Sequence, residues 1–235
     1  MNAINDVITY KYKFVFDSGA EKIFEINLEP DLLTYIRNSK KEPPEWTKCE
    51  GLKCNSLCGF IDKHCPIMVN IEELIDSFSD HSSFENVKIF VEVNNRTYIK
   101  ETSLQDGVGS LMGIIMVSSG CPVLSKLKPM VRYHLPFASI EETEFRVISM
   151  FLLAQYLRKR RGLNPDWDLN ELKKVYSDIR EINKSLAQRI ANVEKMDTGI
   201  NAVVILDNFA NLVTIDLDED ELSHIESLFK EWLGD

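Results

Sequence analysis

Five cysteines are the residues of this chain whose type and spacing point most directly to chemistry. Cys49, Cys54, Cys58 and Cys65 lie within seventeen positions, and Cys121 stands alone in the segment S-S-G-C-P-V-L. Thiolates grouped this closely are the usual ligands of soft metal ions and iron–sulfur clusters. The sequence therefore predicts a cysteine-ligated metal centre.

The spacing favours an iron–sulfur cluster, of the 4Fe-4S kind, over a zinc ion. Zinc ribbons present their ligands as paired C-x-x-C turns, and the sequence contains no such pair. Cys65 and Cys121 are each followed by proline, as in ferredoxin ligand runs. Because Cys121 is expected at a helix start, where the dipole favours a thiolate, it joins the predicted set. The predicted ligands are Cys54, Cys58, Cys65 and Cys121.

Several alternatives stay open. Zinc is the alternative metal, Cys49 is the alternative to Cys121 as fourth ligand, and His64 is a further candidate ligand. A thiol-dependent enzyme would use Cys121 as nucleophile, His134 as base and Arg132 to hold an anion. An interaction module would keep its cysteines reduced and bind no metal. Whether the protein is an enzyme is therefore left open.

Charge and hydropathy narrow the expected partners. The 235 residues carry a formal net charge of -10, which opposes broad attraction to nucleic acid or anionic lipid. The longest apolar run, Leu111 to Val117, is far shorter than the roughly 20 residues of a membrane-spanning helix. The first residues do not resemble a secretory signal. We therefore expect a cytoplasmic protein with reduced cysteines, whose partner is another protein or a second copy of the chain.

Two β-hairpins are predicted in the first hundred residues. Residues 7–28 alternate aromatic and charged side chains around a turn at 17–20. Residues 87–101 form two further alternating runs around Asn94 and Asn95, which tolerate the positive φ of a tight turn. Together they predict a small antiparallel sheet.

Helical patterns follow the cysteine segment. Asn70 and Glu73 have the spacing of a capping box, and so do Ser139 and Glu142. Thr102 or Ser103 is expected to cap a nearly uncharged, buried helix. Gly109 and Gly113, one turn apart in that helix, are expected to allow close approach of another backbone. The helix after Ser139 carries an apolar stripe of Phe145, Ile148, Leu152 and Tyr156. Further helices are predicted after a cap at Asp168, near 200–214 and near 218–233.

These elements predict an α+β fold. A small N-terminal antiparallel sheet of two hairpins, at 1–101, would carry the Cys-rich metal-binding insertion at about 46–70. A helical domain at 102–235, arranged as a bundle, would pack against that sheet.

Two segments carry a resemblance to a known family. The stretches S-G-C-P-V-L and M-V-R-Y-H-L-P-F, supported by S-M-F-L-L-A-Q-Y and P-D-W, resemble a bacterial family of unknown function and similar length. Members of that family resemble this chain in a Cys-rich segment that ends in C-P before an asparagine, which matches Cys65, Pro66 and Asn70. The resemblance implies a bacterial cytosolic protein and the grouping of the four predicted ligands, and it implies no activity.

Overall fold

Two β-hairpins form a four-stranded antiparallel sheet in this computed structural model, which describes residues 7–59, 62–193, 197–219 and 222–234. β1 (Ile8–Phe16) pairs with β2 (Glu21–Leu28), and β3 (Asn86–Val93) pairs with β4 (Arg96–Ser103). The strand order is β2-β1-β3-β4, so that β1 and β3 join the two hairpins. Both predicted hairpins are confirmed.

The alternation along β1 decides which face of the sheet is buried. Tyr12 and Phe14 are fully buried, whereas Lys11 and Lys13 point to the other face and form ion pairs with strand carboxylates. Side chains two apart share a face, so the aromatic residues form one wall of the core. The second hairpin turns at Asn94, whose φ of 52° is in the left-handed region that asparagine tolerates.

The rest of the chain is mainly helical, and the fold is therefore α+β as predicted. Short 3-10 turns lie at Glu45–Thr47, Leu124–Leu127 and Ser227–Phe229. The described α-helices are α1 (Asn55–Cys58), α2 (Pro66–Ser77), α3 (Leu104–Ser118), α4 (Lys128–Arg132), α5 (Ile140–Arg160), α6 (Asn170–Ala191), α7 (Asp197–Glu219), α8 (Ser223–Glu226) and α9 (Lys230–Leu233).

Two predicted helix starts are wrong. The helix expected at Asn70 begins earlier, because Cys65 is the N-cap of α2 and Pro66, with its preset φ, occupies the first turn. The helix expected after Asp168 begins at Asn170, after Leu169 with a φ of 60°. Near that start, the Asp166 carboxylate accepts a hydrogen bond of 2.6 Å from the Glu171 amide.

The helix start at Ser139 is confirmed, but of its predicted apolar stripe only Ile148 lies in the core. Ser139 and Glu142 form the expected capping box of α5. On the same helix Leu152 and Tyr156 are exposed, whereas Glu144 and Gln155 are buried. The residues between 197 and 219 form one helix, longer than the predicted 200–214 helix. In place of the predicted 218–233 helix, the described residues form α8, the 3-10 turn Ser227–Phe229 and α9 in succession. Residues 220 and 221 lie outside the described residues.

α3 is the central helix and packs against both the sheet and α7. Ser103 caps it, as predicted, through a hydrogen bond of 3.4 Å from the Asp106 amide. Gly109 faces α7, where a Cβ atom would lie 3.6 Å from the Ala202 carbonyl oxygen. Gly107 faces the sheet more tightly, since its Cβ would lie 2.1 Å from Ile89 Cδ1. Glycine is therefore needed most on the face of α3 that covers the sheet.

A continuous set of buried residues runs from the sheet into the helices. It includes Phe14 on β1, Ile71 on α2, Leu111 on α3 and Leu186 on α6. The boundary at residue 101 therefore crosses a shared core, and two domains remain a prediction. Within the described part of the chain, every helix falls short of the length and apolarity needed to cross a bilayer.

Candidate metal centre

All five cysteines line one small cavity, here called the cysteine cavity. Its volume is about 20 Å³, which is room for roughly one water-sized sphere. Four of the cysteines are buried and Cys58 is half-buried. The lining residues are Cys49, Leu52, Cys54, Asn55, Cys58, Cys65, Pro66, Ile67, Cys121 and Ile182.

A self-closing loop brings four of the thiols together. Lys48 and His64 pair as an isolated antiparallel bridge. On either side of that bridge, the Cys49 amide donates to the Lys63 carbonyl at 3.0 Å and the Cys65 amide donates to Thr47 at 2.8 Å. The two ends of the cysteine segment are thus held side by side, although the segment has few apolar side chains of its own.

The two Cys-Pro sequences form matching turns at the cavity. Cys65 precedes the first turn of α2, and the backbone amides of Ile67 and Met68 stabilise its thiolate. Cys121 follows α3, and the amides of Val123 and Leu124, at the same two offsets, stabilise its thiolate. Backbone N–H groups directed at sulfur are characteristic of cluster ligands, whose potentials they adjust.

α6 closes the cavity from the helical side. Ile182 lines it, and Arg189 Nη2 donates to the Glu50 carbonyl oxygen in the cysteine loop. The Ser185 hydroxyl is buried without a hydrogen-bond partner among the described residues. It lies close enough to Cys54 to stabilise that thiolate. The site is therefore built from the loop, the start of α2, the turn after α3, and α6.

Burial keeps the thiols protonated in the metal-free protein. It is the main cause that raises the pKa of Cys49, Cys54 and Cys121, and it raises the pKa of Cys65 to about 12. The negative charge of a Cys58 thiolate would raise the pKa of Cys49, Cys54 and Cys121 further. The prediction that Cys121 begins a helix is wrong, because Cys121 lies ahead of the 3-10 turn Leu124–Leu127, whose N-cap is Val123. The amides of Val123 and Leu124 lower its pKa less than burial raises it.

The thiols surround a space rather than converging on one point. Among the described residues, no three His, Cys, Asp or Glu side chains are spaced to ligate a single metal ion. Four or five soft ligands around a small opening can hold an inorganic core only if they lose their protons on binding. The structure brings Cys121 to the other predicted ligands and also keeps Cys49 at the same cavity.

The remaining candidates from the sequence lie elsewhere. His64 pairs its Nδ1 with the Thr47 hydroxyl at 2.7 Å and is not among the cavity-lining residues. His134 lines a different and larger cavity, and Arg132 is exposed. The pKa of Cys121 is raised rather than lowered, which disfavours its use as a nucleophile.

The larger cavity was not predicted from the sequence. It has a volume of about 620 Å³ and lies between α3, α5, α6 and α7 under the 124–138 segment. We call it the apolar cavity. Its polar residues come from distant positions, such as Ser110, His134 and Asn183, with no shared local pattern. The only local signal was the pair Gly109 and Gly113, both of which line it.

Comparisons with known proteins place the chain in a family without assigning an activity. No curated protein and no solved structure matches it. A family model described as a domain of unknown function, DUF6901, matches residues 8–230, as expected from the resemblance in the sequence. The chain belongs to the DUF6901 family.

Proposed function

We propose that this protein holds a cysteine-ligated metal centre in the bacterial cytoplasm, an iron–sulfur cluster ahead of zinc. The role would be structural or redox-sensing, and it would be exerted through a protein partner. The observation that carries the proposal is the meeting of all five cysteines, from positions as far apart as Cys49 and Cys121, at one cavity.

The width of the cysteine cavity supports a cluster over a single zinc ion. A water-sized sphere in contact with a sulfur atom has its centre more than ~3 Å away. A zinc–sulfur bond is only about 2.3 Å long. Four sulfurs that close on zinc would therefore leave no room for such a sphere, whereas this cavity of about 20 Å³ admits one. The spacing is thus wider than that of a closed zinc site, and a cluster would bind only if the loop moved outward to make room for its larger core.

The two matching Cys-Pro turns support Cys65 and Cys121 as members of the ligand set. Each thiolate would receive stabilisation from two backbone amides, which Cys49 does not share. Together with Cys54 and Cys58 they give the four ligands that a 4Fe-4S cluster requires. The cluster would supply a reversible one-electron couple or a rigid crosslink, and Cys49 would stay a free neighbouring thiol.

A sensing role follows from where the ligands lie. The cysteine loop, α2, the turn after α3 and α6 touch one another around the cavity. Loss of the centre would leave these four parts joined by apolar packing and a few hydrogen bonds, without a covalent link between the loop and the helices. Metal binding would therefore change the packing of α6 as well as the loop.

Exposed apolar side chains on α5 support a protein partner. Leu153 and Tyr156 are more than half exposed, and Leu152 and Leu157 lie beside them on the same helix. Apolar surface grouped along one helix is typical of sites of protein association. The partner is either a different protein or a second copy of the chain, and sedimentation of the purified protein separates these cases.

The experiment that tests the metal centre is anaerobic purification followed by metal and sulfide analysis and a visible spectrum. We expect iron and acid-labile sulfide in stoichiometric amounts, with thiolate-to-iron charge-transfer absorption. Stoichiometric zinc would reject the cluster but keep the centre. A protein without metal, which also fails to take up iron and sulfide on anaerobic reconstitution, would reject the proposal.

The ligand set is tested by a matched pair of variants. We expect Cys121→Ser to abolish cluster assembly and Cys49→Ser to retain it. The reverse result would make Cys49 the fourth ligand. Retention in both variants would mean that the two cysteines substitute for each other.

A further inference from the structure

The apolar cavity is large enough for a small molecule and is independent of the metal centre. Its volume of about 620 Å³ lies within the range of ligand sites, roughly 300–1,000 Å³. Aliphatic and aromatic side chains such as Met130, Ile179 and Phe209 make up most of its wall. The cavity is open to solvent on one side, as clefts that bind small molecules are.

Two cations line this cavity: Lys100 is exposed and lies over the Phe137 ring, whereas Arg146 is half-buried. Arg146 Nη2 donates to the Met130 carbonyl at 3.1 Å and to the Tyr133 carbonyl at 2.7 Å. It forms no ion pair with any described residue, and these two contacts leave Nε and Nη1 available to a ligand. Burial is the main cause that lowers the pKa of Arg146, which shows that the charge is poorly compensated.

The carboxylates at the cavity are already engaged. Glu142 uses Oε2 to accept the Ser139 amide in the capping box of α5, although its charge still acts on Arg146. Asp106 accepts the Thr102 hydroxyl at 2.7 Å at the start of α3. Neither side chain pairs with the guanidinium, so an anion from outside the chain would complete the site.

A second polar group lies on α6. The Asn183 side chain is 2 % exposed, and its Oδ1 has no hydrogen-bond partner among the described residues. It lines the same cavity as Arg146 and Tyr176. A buried amide oxygen without a partner is destabilising, and only an N–H or O–H donor would relieve that cost. The N–H group of the same amide can donate to an anion in the cavity.

We propose that the apolar cavity binds an amphipathic carboxylate, a molecule with a medium-length apolar chain and one carboxylate group. The Arg146 guanidinium would hold the carboxylate through its free donors, and the Asn183 side-chain N–H would donate a second hydrogen bond to it. The chain would lie along α3 and α7, where Gly109 and Gly113 leave room. The neutral His134, hydrogen-bonded at 2.7 Å to the Tyr12 hydroxyl, would form part of the wall without adding charge.

The test uses octanoate as the probe and octan-1-ol as a neutral control of the same chain length. Binding to the full chain is followed by two-dimensional NMR titration, which reports both affinity and location. We expect octanoate to shift the amide signals around Arg146 and Asn183 and to bind about tenfold or more tightly than octan-1-ol, as a charge-assisted hydrogen bond would give.

Two variants on α5 test whether the charge of Arg146 causes the preference for octanoate. We expect Arg146→Met, which keeps the apolar stem, to remove the preference for octanoate and leave octan-1-ol binding unchanged. The exposed Arg160→Met on the same helix is the control and should bind as the wild type does. Gly113→Leu, which fills the cavity, should weaken both probes.

Clear results would overturn the proposal. These are equal affinity of the wild type for both probes, no binding at the cavity, or an unchanged octanoate preference in Arg146→Met. If Arg146→Met fails to fold, the comparison of the two probes on the wild type decides whether the cavity prefers a negatively charged ligand. Gly113→Leu then decides whether the probes bind in the apolar cavity.

Discussion

The two cavities of this protein differ in size, lining and origin. The cysteine cavity of about 20 Å³ is lined by five thiols, four of which come from one short loop. The apolar cavity of about 620 Å³ is lined by aliphatic side chains from helices far apart in the chain. The reactive residues of the cysteine cavity are mostly close together in the sequence, whereas the apolar cavity forms only when distant helices pack together. A small site of strong ligands is therefore visible in a sequence, and a large site of weak contacts is not.

The two cavities share a wall. On α6, Ile182 lines the cysteine cavity and the adjacent Asn183 lines the apolar cavity. Consecutive residues of a helix point in directions about 100° apart, so one helix can serve two neighbouring sites. A change at either cavity that moves α6 would therefore shift lining residues of the other cavity.

The largest expected effect is loss of the metal centre. Cys65→Ala removes a thiol that lies at the start of α2 and has two supporting amides. If the centre is bound as proposed, we expect metal content to fall to zero and the free energy of unfolding to drop by ~5 kcal/mol or more. Chemical denaturation of anaerobic samples measures the drop. An unchanged metal content in Cys65→Ala would contradict the ligand set.

Two glycines on α3 allow the tightly packed face of the helix, against the sheet, to be compared with the face at the apolar cavity. We expect Gly107→Ala to destabilise the protein by about 2 kcal/mol, because the added methyl group meets Ile89 and Phe14 in the core. Gly113→Ala faces the apolar cavity, with its nearest neighbour at 3.8 Å, and should stabilise by up to about 1 kcal/mol. Thermal unfolding of both variants checks the difference, and equal effects would show that the two faces are packed alike.

A buried polar cluster separates the apolar cavity from the sheet. The Tyr12 hydroxyl lies 2.7 Å from His134 Nε2 and 3.0 Å from the Ser110 hydroxyl. We expect Tyr12→Phe to reduce the free energy of unfolding by about 1–2 kcal/mol, because it leaves two polar atoms without this partner. The exposed Tyr133→Phe is the control, and it should stay within about 0.5 kcal/mol of the wild type.

The smallest effect is the response of the metal-free protein to alkali. Burial raises the pKa of Cys65 from 9.0 to about 12, so the folded state retains a proton that the unfolded state releases. The buried neutral thiol contributes fully to the stability of the folded state below pH 9.0, and this stability is lost as the pH rises toward 12. We expect about 1 kcal/mol of lost stability between pH 9 and pH 10, relative to metal-free Cys65→Ala.

The metal-loaded protein should respond in the opposite direction. Its ligands are already deprotonated, so stability falls when acid returns protons to the thiolates. Denaturation of both forms across the pH range distinguishes them. Identical profiles would indicate that the thiols do not bind the metal.

Local signals predicted the sheet well because each hairpin is specified by nearby residues. The alternation around Tyr12 and the turn at Asn94 needed no distant contact. The start of α2 was missed because the Asn70 spacing resembled a cap, while Cys65 and Pro66 supply the actual one. The stripe on α5 was predicted, but the exposure of Leu152 and Tyr156 was not, because periodicity does not say which face meets the core.

The metal centre stays a prediction, but the meeting of its cysteines could be predicted from the sequence. Cys121 was grouped with the loop cysteines from its Cys-Pro sequence, and it lines the same cavity. The apolar cavity could not be foreseen, because Arg146 and Asn183 meet only after α5 and α6 have packed. Residues of ordinary type at long separation carry no sequence signal.

The most direct test of the central claim is X-ray absorption at the metal edge of anaerobically purified protein. The cysteine cavity predicts a metal surrounded by sulfur, with a second iron as its near neighbour. A metal bound mainly by nitrogen or oxygen, or no bound metal after reconstitution, would contradict a cysteine-ligated centre.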